Sequence, residues 1–100
     1  MVKHIVAWKL KDTAHGISKQ ENARKIKSLL ENLNGKIPGL LKIEVGFDFS
    51  ATAESSDIVL YSEFVDRKAL DEYQIHPLHE AVKPYIGECR SERRLIDYEI

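Results

Sequence analysis

The chain has 100 residues, of which 43% are hydrophobic and 31% are charged, a composition typical of globular proteins. This length favours a single domain covering residues 1–100. The 15 basic and 16 acidic residues are mixed along the chain and leave a net charge of -1, so nothing indicates a nucleic-acid groove or a membrane surface. Because a small chain buries only a modest share of its surface, association with a second copy is favoured.

The single cysteine, Cys89, has no partner for an internal disulfide, which is typical of a reducing compartment. The opening MVKHIVAWKL is interrupted by Lys3 and Lys9 and lacks the cleavage site of a signal peptide. No stretch approaches the roughly 20 apolar residues that span a bilayer. We therefore expect a cytoplasmic protein.

The first half of the chain predicts a strand, a loop and a helix. Residues 2–10 are rich in β-branched and aromatic side chains and predict a strand, with His4 on the same face as Trp8. Residues 11–17 predict a polar loop. Ser18 and Glu21 form a capping-box pair at the start of a helix, whose apolar stripe repeats every three or four residues. Asn34 and Gly35 are expected to end this helix.

The second half predicts two strands, a broken helix and a last strand. Residues 41–49 alternate strictly between apolar and polar, as in a strand with one buried face. Residues 57–65 predict a third strand, and Asp66 is a plausible N-cap for a helix through Tyr73. Pro77 should end that helix, and a short piece follows to about Lys83, before Pro84. Residues 93–100 alternate again and predict a fourth strand.

This βαββαβ order predicts an α+β, ferredoxin-like protomer, in which one four-stranded antiparallel sheet carries two helices on one face. The other face would then be bare, although it carries several apolar side chains. Such a patch is large for a monomer. We therefore predict a homodimer in which the open sheet faces of two copies pack together.

The segment His76-Pro77-Leu78-His79 contains two of the four histidines. Pro77 fits the first position of a short helix, which places His79 near the positive end of the helix dipole and favours a neutral imidazole. A neutral, partly enclosed histidine can serve as a general base. Tyr73, on the preceding turn, either orients a carbonyl or simply packs with a wet hydroxyl, and His4 either lines a cavity or is a hydrogen-bonded core residue.

Other chemistries have weaker support. A metal site built on the two histidines would lack a ligand set even if Asp57 or Glu80 contributed, so we expect no metal. Arg90 could lower the pKa of the Cys89 thiol, but no nucleophile motif surrounds it. The chain contains no glycine-rich phosphate loop or other cofactor motif, so we expect no cofactor.

Three segments, VKHIVAWKLKD, DEYQIHPLHEAV and LIDYEI, resemble the stress-responsive A/B barrel domain family, also called Dabb or dimeric α/β barrel. The resemblance spans nearly the whole chain and implies a homodimer whose two sheets close a barrel. The best-understood enzyme of the family, a plant olivetolic acid cyclase, catalyses an aldol condensation without a cofactor. By resemblance, His79 would be the base, Tyr73 would position the substrate and His4 would line the pocket.

We add Val59 and His76 as further substrate-binding residues. This chain has Asp57 where that cyclase has a pocket histidine, and the charged stretch around Arg90 where it has a tryptophan. The leading hypothesis is a Dabb homodimer that abstracts a proton next to a carbonyl of a small hydrophobic or acyl ligand. The alternatives are a non-enzymatic, stress-associated binding or structural protein and a cofactor-free monooxygenase.

Overall fold

The computed structural model describes all of residues 1–100. Ten elements follow one another along the chain: β1 (Val2–Leu10), β2 (Thr13–Ala14), β3 (Ile17–Ser18), α1 (Lys19–Glu31), β4 (Leu40–Phe47), β5 (Ile58–Phe64), α2 (Arg67–Gln74), α3 (Pro77–Glu80), α4 (Lys83–Cys89) and β6 (Arg90–Glu99).

The four long strands form one antiparallel sheet in the order β4-β5-β1-β6. The first strand is therefore central, and the last strand of the chain is an edge. Directly opposed residues of antiparallel strands point to the same face, so His4 shares a face with Ser62 on β5 and Asp97 on β6. The predicted α+β, ferredoxin-like architecture is confirmed.

The helices cover one face of the sheet, and the core lies between the two layers. Alternate residues of β1 and β5 are buried there, as the period of a strand requires. Helix α1 contributes Ile26 and Leu30, which are fully buried. The predicted helix starts are also confirmed, since Ser18 accepts a hydrogen bond from the backbone N–H of Glu21 and Asp66 accepts one from that of Ala69.

Two local expectations were wrong. The predicted loop at residues 11–17 contains a miniature hairpin, in which β2 pairs with β3. His15 and Gly16 make its turn, both with positive φ (53° and 73°), the conformation that the tightest hairpin turns need. The alternation of residues 41–49 does not run in one register either, because a bulge between Leu40 and Lys42 shifts the pairing of β4 with β5.

The region after α2 also differs from expectation. The short helix ends at Glu80, and a further helix, α4, begins at Lys83. Pro84 was expected to stop a helix, but it lies in the first turn of α4, where the missing N–H has no helical partner to lose. The last strand begins at Arg90, three residues earlier than predicted.

Gly39 sets the approach of β4 to α2. Its φ is +81°, and a β-carbon built there would lie 2.5 Å from the β-carbon of Ala69. Neither the backbone conformation nor the space admits an ordinary side chain. The glycine is therefore required for the packing of this corner.

The second face of the sheet carries no helix. Its centre is apolar, with Ile5 opposite both Tyr61 and Ile96. The exposed fraction of Ile96 is 58%. We call this surface, centred on Ile5, Ala7, Val59, Tyr61 and Ile96, the open face. None of the four helices combines the length and the apolar composition that a membrane-spanning helix needs.

Candidate functional site

A cavity of about 270 Å³ lies between the covered face of the sheet and the helices. Its apolar wall is formed by Val6, Trp8 and Leu60 from the sheet and by Leu30 and Ile86 from the helices. Small-molecule sites are typically concave and largely apolar, with a few polar groups that orient the ligand. The polar groups of this cavity come from β1, from β6 and from the segment between α2 and α4.

His4 projects from the central strand into the cavity and is only 2% exposed. Its Nδ1 lies 2.5 Å from Oδ1 of Asp97 on the neighbouring edge strand. An ionised carboxylate can only accept hydrogen bonds, so Nδ1 carries the proton and donates it. In the neutral ring Nε2 is then an acceptor.

His79 lies on α3, lines the same cavity and is 9% exposed. Its Nδ1 is 3.5 Å from the backbone carbonyl oxygen of Gln74, which can only accept, so Nδ1 bears the proton and Nε2 keeps its lone pair. Burial, assisted by the nearby Lys83 ammonium, lowers the pKa of His79 to about 4. The imidazole is therefore neutral near pH 7.

The expectation of a neutral His79 is confirmed, but the reason given from the sequence was wrong. Helix α3 has only four residues and is too short to build a substantial dipole. Desolvation is the largest cause of the lowered pKa, because a buried imidazolium loses its water without gaining a carboxylate partner.

Tyr73 lies behind His79 rather than on the cavity wall. It is fully buried, and its ring stacks on that of His79 with centroids 4.1 Å apart. The His4 ring is 6.1 Å away, edge-on. The phenol oxygen has no hydrogen-bond partner, and burial raises the pKa of Tyr73 well above its usual value of 10.0. The hydroxyl therefore remains a protonated, unused donor.

Three cations also line the cavity: Lys83, Arg90 and Arg93. The Lys83 ammonium is already occupied, since it donates to the Gln74 carbonyl at 2.7 Å and to Glu80 Oε1 at 2.5 Å. No carboxylate lies within ion-pair distance of the other two. No aspartate or glutamate lines the cavity.

The structure does not bring the other two predicted binding residues into this cavity. Val59 lies on the open face, opposite Ala7. His76 is the N-cap of α3, where its Nδ1 accepts a hydrogen bond from the backbone N–H of Leu78. Asp57 instead caps the end of β1, where its Oδ2 accepts a hydrogen bond from the backbone N–H of Leu10 at 2.7 Å.

The structure does not support the two alternative chemistries, a metal site and a cysteine nucleophile. No group of three or more His, Cys, Asp or Glu side chains is placed to hold a metal ion. Cys89 is buried, and desolvation raises the pKa of its thiol. The lowering that Arg90 could have caused is not found, and the lowering by the Lys11 ammonium is outweighed by burial.

The sequence interpretation missed Asp97 and Arg93. Asp97 could have been found from the predicted strands, because antiparallel pairing of the first and last strands places it beside a residue near His4. Arg93 alternates with the outward-facing Arg94, and only the strand register shows that it opposes Trp8 on the covered face.

The antiparallel sheet with its helices on one face defines a ferredoxin-like α+β protein. A family model described as "Stress Responsive A/B Barrel Domain" (Dabb) matches residues 2–100, and the chain belongs to this family. None of the curated proteins compared with the chain matches it.

Solved structures share the fold over nearly the whole chain. A Bacteroides fragilis protein, described as a "dimeric protein of unknown function and ferredoxin-like fold", is 36% identical, with a TM-score of 0.86 over 99% of this chain and 95% of its own. A hydroxynitrile lyase from Passiflora edulis is 21% identical (TM-score 0.78, 99% and 92% covered). An antibiotic biosynthesis monooxygenase is 20% identical (TM-score 0.75, 100% and 98%). The last two show the fold alone.

Proposed function

We propose that this protein is a cofactor-independent enzyme that removes a proton next to a carbonyl group, with His79 as the base. The observation that supports it is a buried, neutral imidazole whose Nδ1 faces a backbone carbonyl, so that the unprotonated Nε2 is left to act at a cavity. A base must be unprotonated at the working pH and within reach of the substrate. The lowered pKa of His79 supports the first condition, and its place on the cavity wall supports the second.

In the proposed step the substrate C–H bond breaks and its proton goes to Nε2 of His79. The electron pair of that bond moves into the carbonyl group and forms an enolate. Tyr73 does not line the cavity, so in this proposal it is a positioning residue: its ring stacks on that of His79 and holds the imidazole in place. His4, fixed by Asp97, offers Nε2 to a hydroxyl or a second polar group of the substrate.

The low pKa of His79 limits which substrates can react. A base whose conjugate acid has a pKa of about 4 is weaker than one poised near neutral pH. The proposed reaction therefore suits a carbon acid that a second electron-withdrawing group already activates. It also suits a ligand that raises the pKa of His79 when it binds.

Deuterium exchange tests the proposal without knowledge of the natural substrate. The probe is 4-acetylbenzamide, a methyl ketone whose acetyl group is further activated by the electron-withdrawing para-carboxamide. It is incubated with the protein in D₂O, and loss of its methyl proton signal is followed by NMR. We expect the wild type to accelerate exchange over buffer and His79→Ala to remove the acceleration. His15→Ala is the matched control, because His15 stacks on Tyr85 outside the cavity. Equal rates in the wild type and His79→Ala would exclude His79 as the base.

The proposed enzyme is a homodimer that associates through the open face. The apolar centre of that face is left without cover in the protomer, and apolar patches of this kind mark association sites. The 36% identical Bacteroides protein is described as dimeric, which supports the same assembly here. The single, buried cysteine is in keeping with a cytoplasmic location.

The same protein samples distinguish the proposed enzyme from the two alternative functions. Binding of the ketone without exchange in the wild type would assign the cavity to a non-enzymatic binding role. Oxygen consumption with electron-rich quinols would assign a monooxygenase reaction.

A further inference from the structure

We infer that the cavity takes a carbonyl compound that also carries a carboxylate, and that Arg90 and Arg93 bind this carboxylate. The inference rests on the proposed function for the carbonyl end of the ligand only. It defines the substrate class through two residues that take no part in the proposed proton transfer.

Charge is the first support. Lys83, Arg90 and Arg93 line the cavity together with two imidazoles, and no acidic side chain lines it. Glu80 already pairs with Lys83, and Asp97 is engaged by His4. The side chains of Arg90 and Arg93 have neither an ion-pair nor a hydrogen-bond partner. A single unpaired arginine is ordinary at a surface, but two at one cavity give it a positive potential that attracts anions.

The strand register is the second support, because it places the two arginines away from His4, towards the other end of the cavity. Arg93 opposes Trp8 and Arg90 opposes Leu10, whereas Asp97 opposes His4. His4 and Trp8 are four residues apart, which is about 13 Å along a strand at roughly 3.3 Å per residue. An elongated ligand can therefore place its carboxylate at the arginines and its carbonyl at His79, with its body against the apolar wall.

The chemistry of guanidinium is the third support. Its planar fork matches the two oxygens of a carboxylate and binds them through paired, charge-assisted hydrogen bonds. The volume of about 270 Å³ is below that of most drug-sized sites, so a short-chain or single-ring acid fits better than a large conjugate.

A matched ligand pair tests this directly. The dissociation constants of 4-acetylbenzoate and 4-acetylbenzamide are measured by calorimetry on the full chain, for the wild type, Arg90→Gln, Arg93→Gln and Arg24→Gln. Arg24 is the matched control because it is exposed and without an ion-pair partner, but lies outside the cavity. We expect the acid to bind at least about tenfold more tightly than the amide, the effect of one charged hydrogen-bonded pair.

In the variants, Arg90→Gln and Arg93→Gln should each remove most of this preference by weakening the acid alone, and Arg24→Gln should change neither ligand. The inference is overturned if the wild type binds the acid no more tightly than the amide, which includes the case in which neither ligand binds. It is also overturned if Arg24→Gln weakens the binding of the acid as much as Arg93→Gln does. Exchange on the amide that persists without any acid preference would refute the carboxylate site and leave the proposed reaction standing. Tight binding of the acid without deuterium exchange on either ligand would support the carboxylate site and refute the proposed reaction.

Discussion

The burial of His79 makes the stability of the protein sensitive to mild acid. Its pKa falls from 6.5 to about 4 on folding, so below pH 6.5 the unfolded chain takes up a proton that the folded chain does not. Stability is therefore complete above pH 6.5 and is lost as the pH falls from 6.5 to about 4. At about 1.36 kcal/mol for each pKa unit, the loss is about 3 kcal/mol. This is a large part of the free energy of unfolding of a small domain.

The variant His79→Gln isolates this effect, because glutamine keeps an N–H for the Gln74 carbonyl but does not titrate. Urea unfolding is measured at pH 7 and pH 4 at one protein concentration, since association also contributes to stability. We expect the free energy of unfolding of the wild type to fall by about 3 kcal/mol more than that of the variant. Acid sensitivity from Glu31, whose pKa is lowered by its hydrogen bond from Lys27, is common to both proteins and cancels. Equal losses in the two proteins would refute the buried, neutral state of His79.

Three further substitutions, each with its expected result, test the proposed interface at the open face, the unpaired hydroxyl of Tyr73 and the close packing at Gly39. Ile96→Lys should convert the proposed dimer to a monomer by light scattering, whereas Ile75→Lys, at an exposed site away from the sheet, should not. Tyr73→Phe should leave thermal stability unchanged or raise it by about 1 kcal/mol, since it removes an unpaired buried hydroxyl, and it should leave ketone exchange unchanged because phenylalanine keeps the ring stacked on His79. Gly39→Ala should cost about 1–3 kcal/mol, while Gly87→Ala, with open space around it, should gain up to about 1 kcal/mol in urea unfolding.

The fold could be predicted because local signals and the global pattern agree. Strand alternation in β1 separates a buried face from an open one, and the caps at Ser18 and Asp66 mark where two helices begin. The wrong local expectations have local causes. Pro84 was interpreted as a helix stop, although proline is equally suited to a first turn. His15 adopts a positive φ, which is uncommon for residues other than glycine, and the turn lacks the Asn-Gly or Asp-Gly pair that marks such hairpins in a sequence.

The candidate site could be predicted only in part, because its properties arise from tertiary packing. The histidine and tyrosine positions were visible in the sequence, but the cause of the lowered His79 pKa is burial, which no local pattern reports. The pairing of His4 with Asp97 spans 93 positions and depends on strand register. The same register decides that Arg93 faces the cavity.

The pH dependence of ketone exchange is the most direct test of His79 as the base. The kcat/KM for deuterium exchange into 4-acetylbenzamide reports the ionisation of the free enzyme. We predict that it falls as the pH is lowered through about 4, the pKa of His79, and that His79→Ala shows no exchange above buffer at any pH. Exchange that survives in His79→Ala with the same pH profile would show that another group removes the proton.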